Sequence, residues 1–373
     1  MIVFWLSLSL TAIYAILILV YLWGWLRIPN FQSLDKTANH YHYTIIIPAR
    51  NESAQIKNCI TDILAQDYDH NKLQLLIIDD HSNDNTVEIV NGIIKENPVK
   101  CIKLICLADD NLSHIKNKKE AITYAVENIS STYFILTDAD CTRNTQWLAT
   151  IDQFVALKQP KFVYAPVQFS ANNLFEAIQS FEFAGLVGIG ASAIQIGYPN
   201  MCSAANLLVR TDTFKQIGGY TGNLHLASGD DEFLLHKVYK HFPNDVYFLK
   251  SIDAIVTTTP NASIKQLNSQ RKRWVSKSLK YESRYITMIL VMAYLFNLLI
   301  VWNCITSPML GLSMLVTKLI VEGLFLWPVL RFFRQQRYML YLPLAEVFHI
   351  LYVIVIGISA NVGGYEWKNR KHE

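Results

Sequence analysis

Hydrophobic positions fall into two regimes along the chain. Residues 2–25 carry no charge, and about twenty apolar residues suffice to cross a bilayer. The same unbroken pattern returns at 285–306, 309–330 and 341–362. Between these ends, residues 40 to 284 alternate short β-branched runs with helical periodicity. The runs 43–48, 73–78, 101–107 and 133–136 predict buried strands. Residues 56–64, 87–95 and 116–128 predict helices, the second preceded by a turn, 81–86, rich in helix-capping residues. Strands alternating with helices predict a parallel, doubly wound sheet, whose ligands sit beyond the carboxyl ends of its strands.

The first apolar segment has no Lys or Arg before Arg27, and Tyr21, Trp23 and Trp25 resemble an interfacial belt. An uncleaved anchor is therefore expected rather than a signal peptide, which needs a basic start. Arg27, the basic run 272–284 and Arg331, Arg334 and Arg337 place their loops in the cytoplasm by the positive-inside rule. The uncharged turn at Ser307-Pro308 then lies outside. Four full spans would export the basic tail at 367–371, so one stretch is expected to be interfacial or re-entrant. Segment 309–330 is the weakest span, because Lys318 and Glu322 lie inside it at a spacing that allows them to pair or to pack on a neighbouring helix.

Composition sharpens this picture. Of 373 residues, 51% are hydrophobic and 17% charged, where about 25% charged is usual for soluble chains. A net charge of +3 gives no argument for a nucleic-acid partner. The six cysteines form no CxxC pair, which argues against zinc and for reduced thiols. No GxGxxG follows the first strand and no GxxxxGK[ST] occurs, so dinucleotide oxidoreductase and P-loop NTPase readings lose their support.

The candidate chemistry gathers at the predicted strand ends. Arg50, Asp79, Asp80, Asp138 and Asp140 fall at or just beyond them. Asp138 and Asp140, separated by one residue, can aim at one hard cation, Mg²⁺ or Mn²⁺, completed by phosphates and water. Of Asp79 and Asp80, one is expected to face a nucleotide and the other to cap a turn. Lys118 or Lys119 can approach a phosphate or a carboxylate from a helix start. Asp230 and Asp231 suit either a helix N-terminus or a general base. Gln270, Arg273 and Trp274 lie on a basic amphipathic helix, where Lys272, Lys277 and Lys280 need only anchor to a membrane surface. Arg273 could add a guanidinium for a diphosphate and Trp274 a platform for a sugar ring. The apolar stretch 174–196 either borders an acceptor groove or is a packed helix of the domain.

Taken in order, these motifs resemble the membrane-bound, inverting family 2 glycosyltransferases. The motifs are Ile47-Pro48-Ala49-Arg50-Asn51-Glu52, Ile78-Asp79-Asp80-His81-Ser82, Asn117-Lys118-Lys119-Glu120-Ala121, Thr137-Asp138-Ala139-Asp140, Gly218-Gly219-Tyr220, Gly229-Asp230-Asp231 and Gln270-Arg271-Lys272-Arg273-Trp274. The resemblance covers residues 40 to 284. It implies an α/β GT-A (nucleotide-diphospho-sugar transferase) domain with one N-terminal and about three C-terminal transmembrane helices. It places Pro48, Arg50, Glu52, Asp79, Asp80, Lys118 and Asp138 on the nucleotide and diphosphate. It makes Asp138 and Asp140 the metal ligands, Asp231 the catalytic base, and Asp230, Gln270, Arg273 and Trp274 the acceptor and diphosphate side. Three positions depart from the family pattern: His81 and Asn117 stand where Gly is usual, and Asp230 where Glu is usual.

The expected organisation is an anchor at 1–26, a cytoplasmic catalytic domain at 40–262, an interfacial helix at 263–284, transmembrane segments at 285–363 and a basic tail at 364–373. The expected activity moves a sugar, with inversion, from a UDP- or GDP-sugar to a lipid or lipid-linked glycan, using Mg²⁺ or Mn²⁺, at a bacterial inner membrane. A processive polysaccharide synthase is the alternative enzyme, and a non-catalytic scaffold or transporter subunit the alternative from another class.

Overall fold

A computed structural model describes the chain except residues 34–39, 99, 113, 114, 116, 225–228, 279–282, 360–364, 368, 369 and 373. Lys280 and residues 364, 368, 369 and 373 of the basic tail therefore lie outside the described residues. The chain opens on helix α1 (Ile2–Arg27) and divides into two compact units. One, the sheet unit, comprises Ile28–Ser170 and Gly197–Thr259. The other, the helical unit, comprises Met1–Arg27, Ala171–Ile196 and Pro260–Glu373.

The sheet unit begins β1 (Tyr43–Ala49), α2 (Ile56–Leu64), β2 (Leu73–Asp79), α3 (Thr86–Glu96), β3 (Cys101–Cys106), α4 (Lys118–Glu127), β4 (Tyr133–Leu136) and β5 (Thr142–Arg143). Each strand-to-helix alternation predicted from periodicity is present. Ile45, Ile46 and Ile47 are fully buried, as a strand covered on both faces requires. Next come α5 (Trp147–Lys158), β6 (Phe162–Tyr164) and β7 (Val167–Phe169). Then follow, beyond the excursion of 171–196, β8 (Leu207–Arg210), α7 (Thr211–Gln216), α8 (Asp230–His241), β9 (Val246–Phe248) and β10 (Val256–Thr258).

The main sheet has seven strands in the order β3-β2-β1-β4-β8-β6-β9. Pairing is parallel from β3 through β4, as expected. Beyond the four predicted strands the sheet is mixed, because β8 runs antiparallel to both β4 and β6. An apolar run of three or four residues such as Leu207–Arg210 carries no information about its direction. That is settled by where the preceding connection re-enters the sheet, and mixed sheets are common. A second sheet has the order β5-β10-β7.

Two polar networks lock the ends of β1. Asp152 on α5 is fully buried and accepts from the Tyr41 backbone N–H and from the Tyr43 and Tyr68 hydroxyls. These donors satisfy a charge that would otherwise be costly in the core. At the carboxyl end, the loop after β1 is laced to the loop after β2. The backbone N–H groups of Asn51, Glu52 and Ser53 donate to Ser82 Oγ, Thr86 Oγ1 and Asp84 Oδ2.

The helical unit contains α1, α6 (Leu174–Gln195), α9 (Ile264–Ser278), α10 (Arg284–Thr306), α11 (Pro308–Phe332) and α12 (Leu342–Ser359). Five apolar helices of sufficient length to cross a membrane occur among the described residues: α1, α6, α10, α11 and the stretch ending in α12. The chain is an integral membrane protein. The anticipated α6 is a packed helix, yet it clusters with the apolar helices rather than with the sheet. Its small residues allow this, since a Cβ at Gly188 would come within 2.8 Å of Val329 on α11.

Segment 309–330 has the lowest hydropathy of the four terminal apolar stretches, as expected. It lies within one 25-residue helix, α11, whose charges are satisfied within the unit rather than disrupting it. Lys318 is 0% exposed and lies 2.5 Å from Glu322 Oε1, the predicted i,i+4 pair, and it also donates to Glu346 on α12.

Candidate active site

The site is built by strand ends. Asp79 closes β2 opposite Ala49 of β1, so the residues that follow, Asp80 and Arg50, emerge side by side. The Asp80 N–H donates to the Ala49 carbonyl at 2.8 Å, and Arg50 Nη1 donates to the Asp80 carbonyl at 2.9 Å. Arg50 Nη1 also lies 3.6 Å from Asp80 Oδ1. Asp79 is 2% exposed. Its Oδ2 accepts from the Ser82 N–H, capping the turn, while its buried Oδ1 has no hydrogen-bond partner among the described residues. His81 sits at φ +59°, in the left-handed region, which explains why Gly is usual at this position in the resembled family. Pro48 is the penultimate residue of β1, and Glu52 lies in the laced loop just beyond it.

The second half of the site forms around Lys118, the first residue of α4. Its Nζ lies 3.5 Å from Asp138 Oδ1 and 3.3 Å from Asp230 Oδ2. Burial works against the ammonium charge, but Asp230, then Asp138 and Asp231, outweigh it and hold the lysine above its ordinary pKa. Lys119 points elsewhere. It is buried, donates to the Asn223 carbonyl at 2.9 Å and lies 5.3 Å from the Phe233 ring centre. Of the two candidate lysines, Lys118 is the one brought to the carboxylates. Asn117, where Gly is usual, caps α4 by accepting from the Glu120 N–H at 3.0 Å.

Asp230 and Asp231 open α8, where the helix dipole favours negative charge. Gly229 precedes them at φ +81°, a conformation that turns the chain into the helix without a Cβ penalty. Asp231 Oδ2 accepts from the Ala204 N–H at 3.3 Å and Oδ1 from the Glu232 N–H at 2.9 Å, so its orientation is set by backbone. Burial, then the charges of Asp230 and Asp231, push the neighbouring Tyr220 phenol up and keep it protonated.

Asp138 and Asp140 follow β4. The Asp138 side chain is 45% exposed, whereas Asp140 Oδ2 accepts from Thr258 Oγ1 at 2.9 Å. Thr258 was not anticipated. It lies in β10, over a hundred residues downstream, and no local signal links it to Asp140. No group of three or more His, Cys, Asp or Glu able to hold a metal occurs among the described residues. The oxygen-only pair, with one carboxylate open to solvent, fits a hard divalent cation that takes its remaining ligands from phosphates and water.

Gln270, Arg273 and Trp274 belong to the helical unit, on α9. There Asn261 Nδ2 donates to Gln270 Oε1 at 2.9 Å. The motif's buried anchor is Arg271, which was not singled out: its Nη2 donates to Glu182 Oε2 at 2.7 Å and its guanidinium lies 4.3 Å from the Trp274 ring centre. Glu346 and His349 were also overlooked, although ionisable residues inside an apolar run are the available signal.

The model of the Glycosyl transferase family 2 matches residues 44–183. Glycosyltransferase AglE of Haloferax volcanii is 26% identical over 193 residues, which are 50% of this chain; the match spans 58% of that relative's length. The structure of mannosyltransferase PcManGT from Pyrobaculum calidifontis, in complex with GDP-Man and Mn²⁺, superposes with a TM-score of 0.58 at 17% identity. It covers 92% of this chain and 98% of that one, and it establishes the shared fold. The S. aureus TarS 1-349 structure is looser, with a TM-score of 0.44 at 13% identity over 88% of this chain and 95% of that one. With its ordered motifs, residues 44–183 are similar to the Glycosyl transferase family 2, and the chain combines a GT-A-like fold with helices long enough to cross a membrane.

Proposed function

We propose that the protein transfers a sugar from a UDP- or GDP-sugar to a hydroxyl or phosphate oxygen of a lipid or lipid-linked glycan, with inversion at the anomeric carbon. The observation that carries this reading is the convergence of Asp138, Asp230 and Lys118 at the strand ends, with Asp231 beside them at the start of α8. Asp231 takes the proton of a hydroxyl acceptor as general base, held in place by the Ala204 and Glu232 N–H groups. Asp79, Asp80 and Arg50 receive the nucleotide, and Pro48 and Glu52 shape the loop around it. Lys118 supplies a fixed positive charge near the diphosphate. Asp138 and Asp140 would hold Mg²⁺ or Mn²⁺, which supplies charge neutralisation on the departing diphosphate. Gln270, Arg273 and Trp274 serve the acceptor side.

The protein is read as acting at a bacterial inner membrane with the sheet unit in the cytoplasm. The donor named for the Pyrobaculum calidifontis enzyme makes GDP-mannose with Mn²⁺ the first donor to try. The test is a panel of nucleotide sugars incubated with purified membranes, with and without EDTA, and products identified by mass. A single sugar added to a lipid, dependent on Asp231 and on a divalent cation, is the expected result. A polymeric product would replace this reading by the processive synthase. No transfer from any donor, with wild-type protein folded, would reject it.

A further inference from the structure

Helix α6 carries two polar side chains that the strand-end chemistry leaves unused. Gln179 is 1% exposed, and Glu182 follows it by three residues, on the same helix face. Gln179 Oε1 accepts from the Asn261 N–H at 3.0 Å and its Nε2 donates to the Asn261 carbonyl at 3.0 Å. Asn261 in turn donates to Gln270 Oε1. Glu182 receives a donor on each oxygen: Tyr352 of α12 at 2.5 Å on Oε1, and Arg271 of α9 at 2.7 Å on Oε2. Arg271 is 4% exposed and stacks over Trp274. On the α12 side, the Tyr352 ring lies 5.4 Å from His349, whose Nδ1 is 3.5 Å from the buried Lys318.

A buried arginine–carboxylate pair adds little net stability over an apolar pair of the same size, but it is directional. Here it fixes the rotation of a basic helix with little apolar surface of its own to bury. A planar guanidinium clamped on one edge and stacked on an indole leaves Trp274 one orientation. We propose that Gln179 and Glu182, with Tyr352, are positioning residues. They hold α9 at two adjacent points so that Gln270, Arg273 and Trp274 meet the acceptor in a fixed array. The word acceptor rests on the function proposed above; the clamp itself does not.

Two measurements separate these. The first needs no activity. In membranes, the double substitution Phe183→Cys/Trp274→Cys, at rings 6.4 Å apart, reports the setting of α9 by oxidative cross-linking. Adding Glu182→Gln or Tyr352→Phe is expected to lower cross-linking several-fold; unchanged cross-linking overturns the proposal. The second uses native cysteines and tryptophans. Glu182→Gln and Gln179→Ala are expected to lower kcat/KM for the acceptor about ten- to a hundredfold, the size of a roughly 1 Å misplacement, with donor KM little changed. Glu182→Gln, which leaves the buried Arg271 without its counter-charge, is also expected to lower the thermal midpoint. Glu182→Asp is expected to recover part of that loss. Equal losses for donor and acceptor, tracking the thermal midpoint, would reduce the clamp to a structural element and overturn it. Loss of cross-linking in a protein that transfers no sugar would leave the clamp standing and reject the proposed function instead.

Discussion

The Lys118 ammonium lies 3.3 Å from Asp230 Oδ2, joining the start of α4 to the start of α8 across more than a hundred residues of chain. The same ammonium reaches Asp138 at 3.5 Å. One cation thus holds two carboxylates that would otherwise repel each other where a diphosphate would bind. Lys118→Gln removes this charge and leaves the carboxylates facing. Donor binding, read by calorimetric titration of a nucleoside diphosphate, is expected to weaken at least about tenfold, the size of one lost charge-assisted contact. Unchanged affinity would remove Lys118 from the donor site.

Asp231 is oriented by two backbone N–H groups, one on each oxygen, so Asp231→Asn keeps its size but removes its charge and one of the two acceptors. Asp231→Asn is expected to lower transfer by about 10²- to 10⁴-fold, the usual worth of a general base. Binding of the donor nucleotide is expected to stay within about threefold. Full transfer in this variant would exclude Asp231 as the base.

His81 occupies φ +59° at the cost of a Cβ in the left-handed region. Its contact with Asp80 at 3.0 Å is half-exposed and contributes little. His81→Gly is expected to stabilise the sheet unit by about 1 kcal/mol, seen as a rise of a few degrees in the thermal midpoint. A fall would show that the imidazole is held by more than geometry.

Lys250 is buried beside the Ile28 carbonyl, and burial lowers its pKa to about 8. Between about pH 8 and the ordinary lysine value, the unfolded chain binds more protons than the folded one, so stability rises with pH across that window. Below pH 8 the charge is buried at full cost. Lys250→Met is therefore expected to raise stability at pH 7 by on the order of 2 kcal/mol and to flatten the rise between pH 8 and 10. Thermal melts across pH 6.5 to 10 check both.

Lys318 pairs with both Glu322 and Glu346 inside the apolar helices. Lys318→Met leaves two buried carboxylates without their cation and is expected to cost about 3–5 kcal/mol. Adding Glu322→Gln and Glu346→Gln is expected to recover most of it. Detergent-solubilised protein melted by intrinsic fluorescence gives the comparison, and additive losses would refute the coupling.

Local patterning was enough for the elements and their order. A β-branched run closed by Pro48, a turn rich in Asp and Asn at 81–86, and uncharged runs of membrane length each state their structure within a short window, because periodicity and capping are local properties. It was also enough to bring Arg50, Asp79, Asp80 and Asp138 to one edge, since parallel strands place their carboxyl ends together. It told Lys118 from Lys119 no better than a coin toss. Adjacent helix positions face about 100° apart, and which one meets Asp138 depends on how α4 is rotated against the sheet.

The rest came from contacts between residues far apart in the chain. The reversal of β8, Thr258 on Asp140 and Glu182 on Arg271 have no signature in any window, because each partner reads locally as an ordinary residue. Long-range packing decides them: a buried charge must find its counter-charge wherever the fold delivers one. The acidic and basic motifs between apolar segments could be read directly, but the side chains that hold them in place are visible only once the chain has folded.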